Sequence, residues 1–226
     1  TPKTSAPALA DAMELFRPYA EAGREIVCFS ISAGMSTSGN VMRLAAEELG
    51  ASDRIKVIDS ANLSTGIGLL VVEAAIMAKN NRTASQIVSE IEKLKPNVRA
   101  SFVVDTLTYL YRGGRCNAVA AMAGGVLKLH PRIVVEDGAM NASKKYRGKI
   151  ASVVMNYVKD MEKDLKKARP ERVFITHSGC EQETVEKVRA YLKELDIFDE
   201  ILETRAGGVV SSHCGPGTLG VLYIAK

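Results

Sequence analysis

Twice in its first part the chain runs from a short apolar segment, through a turn of small hydroxyl residues, into a stretch with helical spacing. Residues 25–31 (EIVCFSI) lead through a Ser/Gly-rich turn into a helix over about 40–49, and residues 54–59 (RIKVID) lead through 60–68 into a helix over 69–79. Strand, turn and helix repeated in this way restrict the fold to a parallel sheet with helices packed on it, because parallel strands need a long crossover and here the crossover is helical. A helix around Leu9, Met13, Phe16 and Ala20 precedes the first strand, with Pro7 as a first-turn residue and Pro18 as its kink or end.

The remainder changes character. Thr83-Ala-Ser-Gln86 is a capping box for a helix that carries Ile87, Ile91 and Leu94 on one face until Pro96 stops it. The seam is placed just before it, at Asn80-Asn81, giving an N-terminal α/β domain over 1–80 and a C-terminal α/β domain over 81–226. Residues 98–104 predict a strand and 106–111 a short helix broken by Gly113-Gly114. The run 118–127 is apolar all round and predicts a buried helix. Residues 131–147 predict a hairpin turning at Glu136-Asp137-Gly138, since Asp-Gly between extended runs favours a tight turn. A long helix over 149–167, a strand over 172–176, a helix over 183–195 and strands over 198–203 and 219–224 follow, with the glycine-rich 206–217 as a loop. The fold class is therefore α/β, with a first domain built on a parallel sheet flanked by helices and a second on a mixed sheet with helices.

Composition removes several functions. The 226 residues are 46% apolar, enough for a real core. The net charge of +4 is scattered, there is no Trp and aromatics make up 5%, which argues against nucleic-acid binding. The longest apolar run, 118–127, is about half of the roughly 20 residues needed to span a bilayer, and no secretory signal opens the chain, so a soluble protein is expected. Cys28, Cys116, Cys180 and Cys214 form no CxxC pair, which suits reduced thiols in the cytoplasm. Neither they nor His130, His177 and His213 have metal-ligand spacing. The chain begins Thr1-Pro2-Lys3 without an initiator Met, as a fragment of a longer protein would.

Three segments can carry chemistry. The turn Ser30-Ile-Ser32-Ala-Gly-Met-Ser36-Thr37-Ser38-Gly39-Asn40 sets five hydroxyls and two glycines before a helix, where N–H groups carry partial positive charge, so a carboxylate or phosphate suits it; plain helix capping is the competing explanation. No GxGxxG and no Gly-Lys-Ser/Thr is present, so a nucleotide pocket is unsupported. Asp59-Ser60-Ala-Asn62-Leu-Ser64-Thr65-Gly66 is a second polar turn, better explained as a turn and helix cap. In Ser211-Ser212-His213-Cys214-Gly-Pro-Gly217 a histidine lies among small residues. It can donate to a carboxylate, while a Cys-His nucleophile pair is disfavoured because neighbours in an extended segment point apart. Thr4-Ser5-Ala6-Pro7 adds two hydroxyls before the first helix. Arg115 and Arg147 are the cationic candidates; His130 and His177 are assigned structural roles.

The blocks ISAGMSTSGN, VIDSANLSTGIGLLVVEAA, FVVDTLTYLYRGGRCN and SSHCGPGTLGV resemble, in order and spacing, the DegV family, and together they run through essentially the whole chain. The resemblance implies a bacterial two-domain α/β protein that binds a long-chain fatty acid in a tunnel between its domains. It implies a carrier rather than an enzyme, with no cofactor, whose bound carboxylate is phosphorylated by a separate ATP-dependent fatty acid kinase subunit. It assigns Thr4 and Ser36 as carboxylate ligands and places His213 near the same head group. The chain departs from the family pattern at Ala6, at Thr37-Ser38 and at Cys214. It also lacks an upstream segment of about sixty residues with an Asp-Ser element, so an exposed strand edge and a partly open pocket are expected. For the tail, Met122, Leu127, Leu129 and Ile133 are the expected lining. The alternative is a small-molecule transferase or hydrolase that uses His213 as general base in the same crevice.

Overall fold

A computed structural model describes residues 2–114 and 129–226. The predicted helix over 118–127, Arg115, Cys116, Met122 and Leu127 lie outside the described residues. The chain divides into two compact units, Thr4–Pro96 and Asn97–Lys226, the latter grouped with Thr1–Lys3.

In the first unit, β1 (Ile26–Ser30) and β2 (Ile55–Asp59) pair in parallel, with Ile26 opposite Ile55 and Ser30 opposite Asp59. Among the described residues no other strand joins this sheet. Strand alternation sends Ile26, Cys28, Ile55 and Val57 to one face, where α1 (Leu9–Glu21) and α2 (Ser38–Glu48) bury Phe16, Ala20, Ala45 and Ala46 against them. Two helices, α3 (Ser64–Lys79) and α4 (Ala84–Leu94), also pack on the strands. The expected parallel sheet with helical crossovers is thus present.

Three local expectations need correction. Pro18 does not end α1, which continues to Glu21, and its carbonyl still accepts from Ala22 N–H at 3.2 Å. The third helix starts at Ser64, so Ser64-Thr65-Gly66 form its first turn rather than the loop before it. The division between units falls after Pro96 rather than at Asn80-Asn81. The capping box is as expected, with Gln86 N–H donating to Thr83 Oγ1 and Thr83 N–H to Gln86 Oε1. However, Ala84 N–H also donates to the Glu25 carboxylate beside β1, at 3.3 Å, which ties α4 back to the first unit.

The second unit is a six-stranded mixed sheet in the order β5-β4-β3-β8-β6-β7. Its strands are β3 (Val98–Val103), β4 (Leu129–Glu136), β5 (Ala139–Arg147), β6 (Ala168–Ser178), β7 (Glu200–Arg205) and β8 (Thr218–Ala225). Among the described residues of this unit, only β6 and β7 pair in parallel. The β4–β5 hairpin turns at Asp137 and Gly138, with φ of 49° and 75°, the left-handed pair that a two-residue turn requires. The predicted helix over 149–167 is broken at Met161 into α6 (Ile150–Asp160) and α7 (Glu162–Leu165). Together with α8 (Gln182–Glu194), these cover the sheet face bearing Val103, Val173, Ile175, Leu219, Val221 and Tyr223. Alternation puts Phe102, Ile133, Phe174 and Leu222 on the opposite face, and they are buried as well. Both faces of this sheet are therefore apolar.

The largest correction concerns 206–217. This is not a loop throughout: Gly208–Cys214 form a helix, α9, that packs against α5 (Thr108–Gly113) and ends at Gly215 with φ 79°.

Candidate functional site

The turn after β1 is built by backbone closure onto Ser32. Met35 and Ser36 N–H groups both donate to the Ser32 carbonyl, at 2.9 and 3.1 Å, and this curls the chain so that α2 begins at Ser38. Thr37, the residue at the helix boundary, caps with no side-chain bond. Ser36 takes that role: its Oγ accepts from Ser38 N–H at 3.2 Å and lies 2.8 Å from Ser38 Oγ. Two hydroxyls hold two hydrogens and share one between them, so the pair keeps one hydrogen to donate outward. Both side chains are half-buried, and they stand where the helix dipole favours negative charge. Behind them, Ser30 Oγ is buried without a hydrogen-bond partner, under Gly39, where a methyl group would approach that oxygen to 2.7 Å.

The second polar turn braces the first. Both oxygens of Asp59 accept from Ala33 N–H at 3.3 Å, and Oδ1 accepts from Ala61 N–H at 2.9 Å. The Asn62 carbonyl accepts from Ser32 N–H at 2.9 Å, while its Oδ1 accepts from Leu63 N–H at 3.0 Å. Ala61 and Ser64 are left-handed, at φ 49° and 50°. Direct contact with a ligand is not what these groups are arranged for.

Thr4 is half-buried in the non-regular segment before α1, in the same unit as Ser36. His213 belongs to the other unit and is half-buried on α9. The segment that carries His213 and Cys214 is helical rather than extended, and there Cys214 is buried while His213 is half-buried. Burial also pushes the Cys28 and Cys180 thiols up to about 11, the latter aided by the neighbouring Glu181 carboxylate, which leaves them protonated and unreactive near neutrality. His130 and His177 are structural, as expected. His130 lies within 3.3 Å of the Val104 carbonyl and 3.0 Å of the Gly148 carbonyl, and His177 Nδ1 accepts from Cys180 N–H. Arg147 is exposed at the end of β5.

Ile133, expected in the tail lining, is fully buried on the apolar sheet face away from α6 and α8, and Leu129 is half-buried at the start of β4. A cavity of about 280 Å³ between α1 and α2 has Arg17, Glu21, Glu48 and Arg54 in its wall, too polar for an acyl chain. Among the described residues, no His/Cys/Asp/Glu group could hold a metal and no helix is long and apolar enough to cross a membrane. Sequence reasoning missed the role of Ser38 as the partner of Ser36, although its spacing two residues on was visible.

Against this geometry stands a family model described as "Uncharacterised protein, DegV family", which matches residues 1–226. The chain belongs to the DegV family. A DegV domain-containing protein of Deinococcus radiodurans is 31% identical over 221 residues, covering 97% of this chain and 77% of that relative. Among solved structures, one described as the fatty acid binding of a DegV family protein from Thermus thermophilus is 26% identical. It aligns with a TM-score of 0.89 over 100% of this chain and 79% of its own. A stearic-acid-binding protein from Eubacterium ventriosum is 27% identical, with a TM-score of 0.84 over 99% of this chain and 78% of its own. The DegV fold, with a small parallel sheet and a larger mixed one, is therefore shared along the chain.

Proposed function

We propose that this DegV protein binds a long-chain fatty acid and acts as a carrier rather than an enzyme, with Thr4, Ser36 and His213 holding the carboxylate. The observation that carries the reading is the Ser36–Ser38 pair, which keeps one hydroxyl hydrogen free at the positive end of α2. The fatty acids named for the Thermus and Eubacterium structures support it. This reading assigns the tail to the apolar sheet face of Phe102, Ile133 and Leu222, side chains that are already buried and must part to admit methylenes. Each buried methylene contributes about 0.8 kcal/mol, so a long chain gives on the order of 10 kcal/mol gross, before the cost of ordering. The tail supplies affinity and the hydroxyls fix the head.

Neutral donors hold a carboxylate without forming an ion pair, so its oxygen keeps the charge needed to attack phosphorus. In this reading a partner kinase presents ATP; the carboxylate oxygen bonds to the γ-phosphorus, ADP leaves and an acyl phosphate remains on the carrier. No cofactor of the carrier's own takes part. The free thiols Cys28, Cys180 and Cys214 support a reducing, cytoplasmic setting.

The test is organic extraction of the purified protein followed by mass spectrometry, with one acyl chain per protein expected. Absence of lipid, together with failure to take up added stearate, overturns the reading. The double variant Thr4→Ala/Ser36→Ala is expected to lose most of the bound lipid. Hydroxylamine trapping after addition of ATP alone is expected to give no acyl product; product without a second protein would turn the carrier into an enzyme.

A further inference from the structure

Helices α5 and α9 meet through two exchanges of a ring for a glycine. On α5, Tyr109 and Gly113 are four residues apart and share a face. A methyl group placed on Gly113 would overlap Nδ1 of His213 and stand 3.0 and 3.2 Å from its Cε1 and Cγ. The imidazole therefore rests directly on the backbone of α5. In return, a methyl group on Gly215, just past the end of α9, would stand 2.6 and 2.8 Å from Cε2 and Cγ of Tyr109. The phenol ring is seated on that glycine as the imidazole is on the other.

Neither contact is explained by turn geometry alone. Gly215 has φ 79° and ends a helix, so it has a conformational reason to be glycine as well. Gly113 has none: its φ is not positive and it lies in the last turn of α5, where alanine would favour the helix. What alanine cannot do there is coexist with the present place of the His213 ring. A side-chain ring can swing aside at little cost to the fold, whereas a helix backbone cannot, so the conflict would be relieved by moving the imidazole.

We propose that Gly113 and Tyr109 are positioning residues for His213: the bare backbone at 113 and the ring of Tyr109 on Gly215 fix where the imidazole stands, and so where it meets the fatty acid head group. This rests on the assignment of His213 to that head group.

The decisive variant is Gly113→Ala in the full chain, read by imidazole NMR, by thermal melting and by stearate binding. The His213 ring resonances, assigned by their loss in His213→Ala, are expected to shift while the melting temperature holds, and stearate affinity is expected to fall by about tenfold or more, the loss of one hydrogen bond to a charged group. Added to His213→Ala, the same substitution is expected to weaken binding no further. Tyr109→Ala is expected to move the same resonances, and Tyr109→Phe, which keeps the ring, to restore them. Ring resonances unmoved in Gly113→Ala, or an equal loss of affinity with and without His213, overturns the proposal. If His213→Ala alone leaves stearate binding intact, the head-group assignment fails, and the ring shift still decides whether Gly113 places the imidazole.

Discussion

The two polar turns of the first unit have nearly the same ingredients and opposite uses. Each follows a parallel strand, each is rich in hydroxyl residues and each leads into a helix. In the second turn, Asp59, Ser60 and Asn62 direct their side chains at backbone N–H and C=O groups, of this turn and of the first. In the first turn, Ser36 and Ser38 engage one N–H and each other, and a hydroxyl hydrogen is left over. A count of polar side chains therefore does not locate a binding site. The residual capacity does, after the backbone has been satisfied.

The comparison is broken most severely at Gly66, where α3 passes over Asn62. A methyl group there would stand 2.5 Å from Asn62 Cγ, and Asn62 is buried, with its backbone carbonyl holding Ser32. Gly66→Ala gains about 1 kcal/mol of helix propensity. Against that stand overpacking of about 1–3 kcal/mol and a buried amide pushed off its partner, worth about as much again. The clash wins, with a net loss of about 2 kcal/mol, or roughly 4–8 °C in melting temperature for a chain of this size. Calorimetry decides it, and an unchanged melting point would mean that the second turn is not the rigid brace described.

Asp59→Ala is expected to come next. It removes the acceptor for Ala33 and Ala61 N–H groups, of which the first is exposed enough to find water, so the loss is about 1 kcal/mol. Hydrogen exchange at Ala33 and Ala61 is expected to quicken. Fatty acid binding is expected to weaken only in proportion, because Ser36 is displaced rather than removed. Asp59→Asn, which keeps one acceptor oxygen, is expected to lose about half as much. A larger effect on binding than on stability would place Asp59 in the head-group site itself.

How much of this was legible in the sequence depends on how far each interaction reaches. The Thr83/Gln86 capping box and the Asp137-Gly138 hairpin were readable because the deciding bonds and dihedrals lie within three residues. The edge of the first unit was not, because the bond that binds α4 to it, from Ala84 to Glu25, joins positions far apart in sequence. The helix that carries His213 was unreadable for a similar reason: its Gly-Val-Val-Ser-Ser run has poor helical propensity, and it packs on α5 through Gly113 and Tyr109. At the candidate site the hydroxyls themselves were visible. The division into bracing and donating groups was not, since it depends on the Asp59 carboxylate reaching across to Ala33.

Ser36→Ala has the smallest effect on the fold and separates the two turns most cleanly. It deletes one capping bond to Ser38 N–H, with a cost bounded by an ordinary helix cap at about 1 kcal/mol and reduced here because the half-buried helix start is open to water. The same change takes away one of the two hydroxyls of the donating pair, and the remaining Ser38 is free to turn toward the solvent. Lipid retention is therefore expected to fall far more than stability does, the reverse of Gly66→Ala. Measuring both quantities on both variants tests the contrast directly. If Ser36→Ala keeps its lipid and loses only stability, the first turn is a helix cap like the second, and the carboxylate must be held elsewhere.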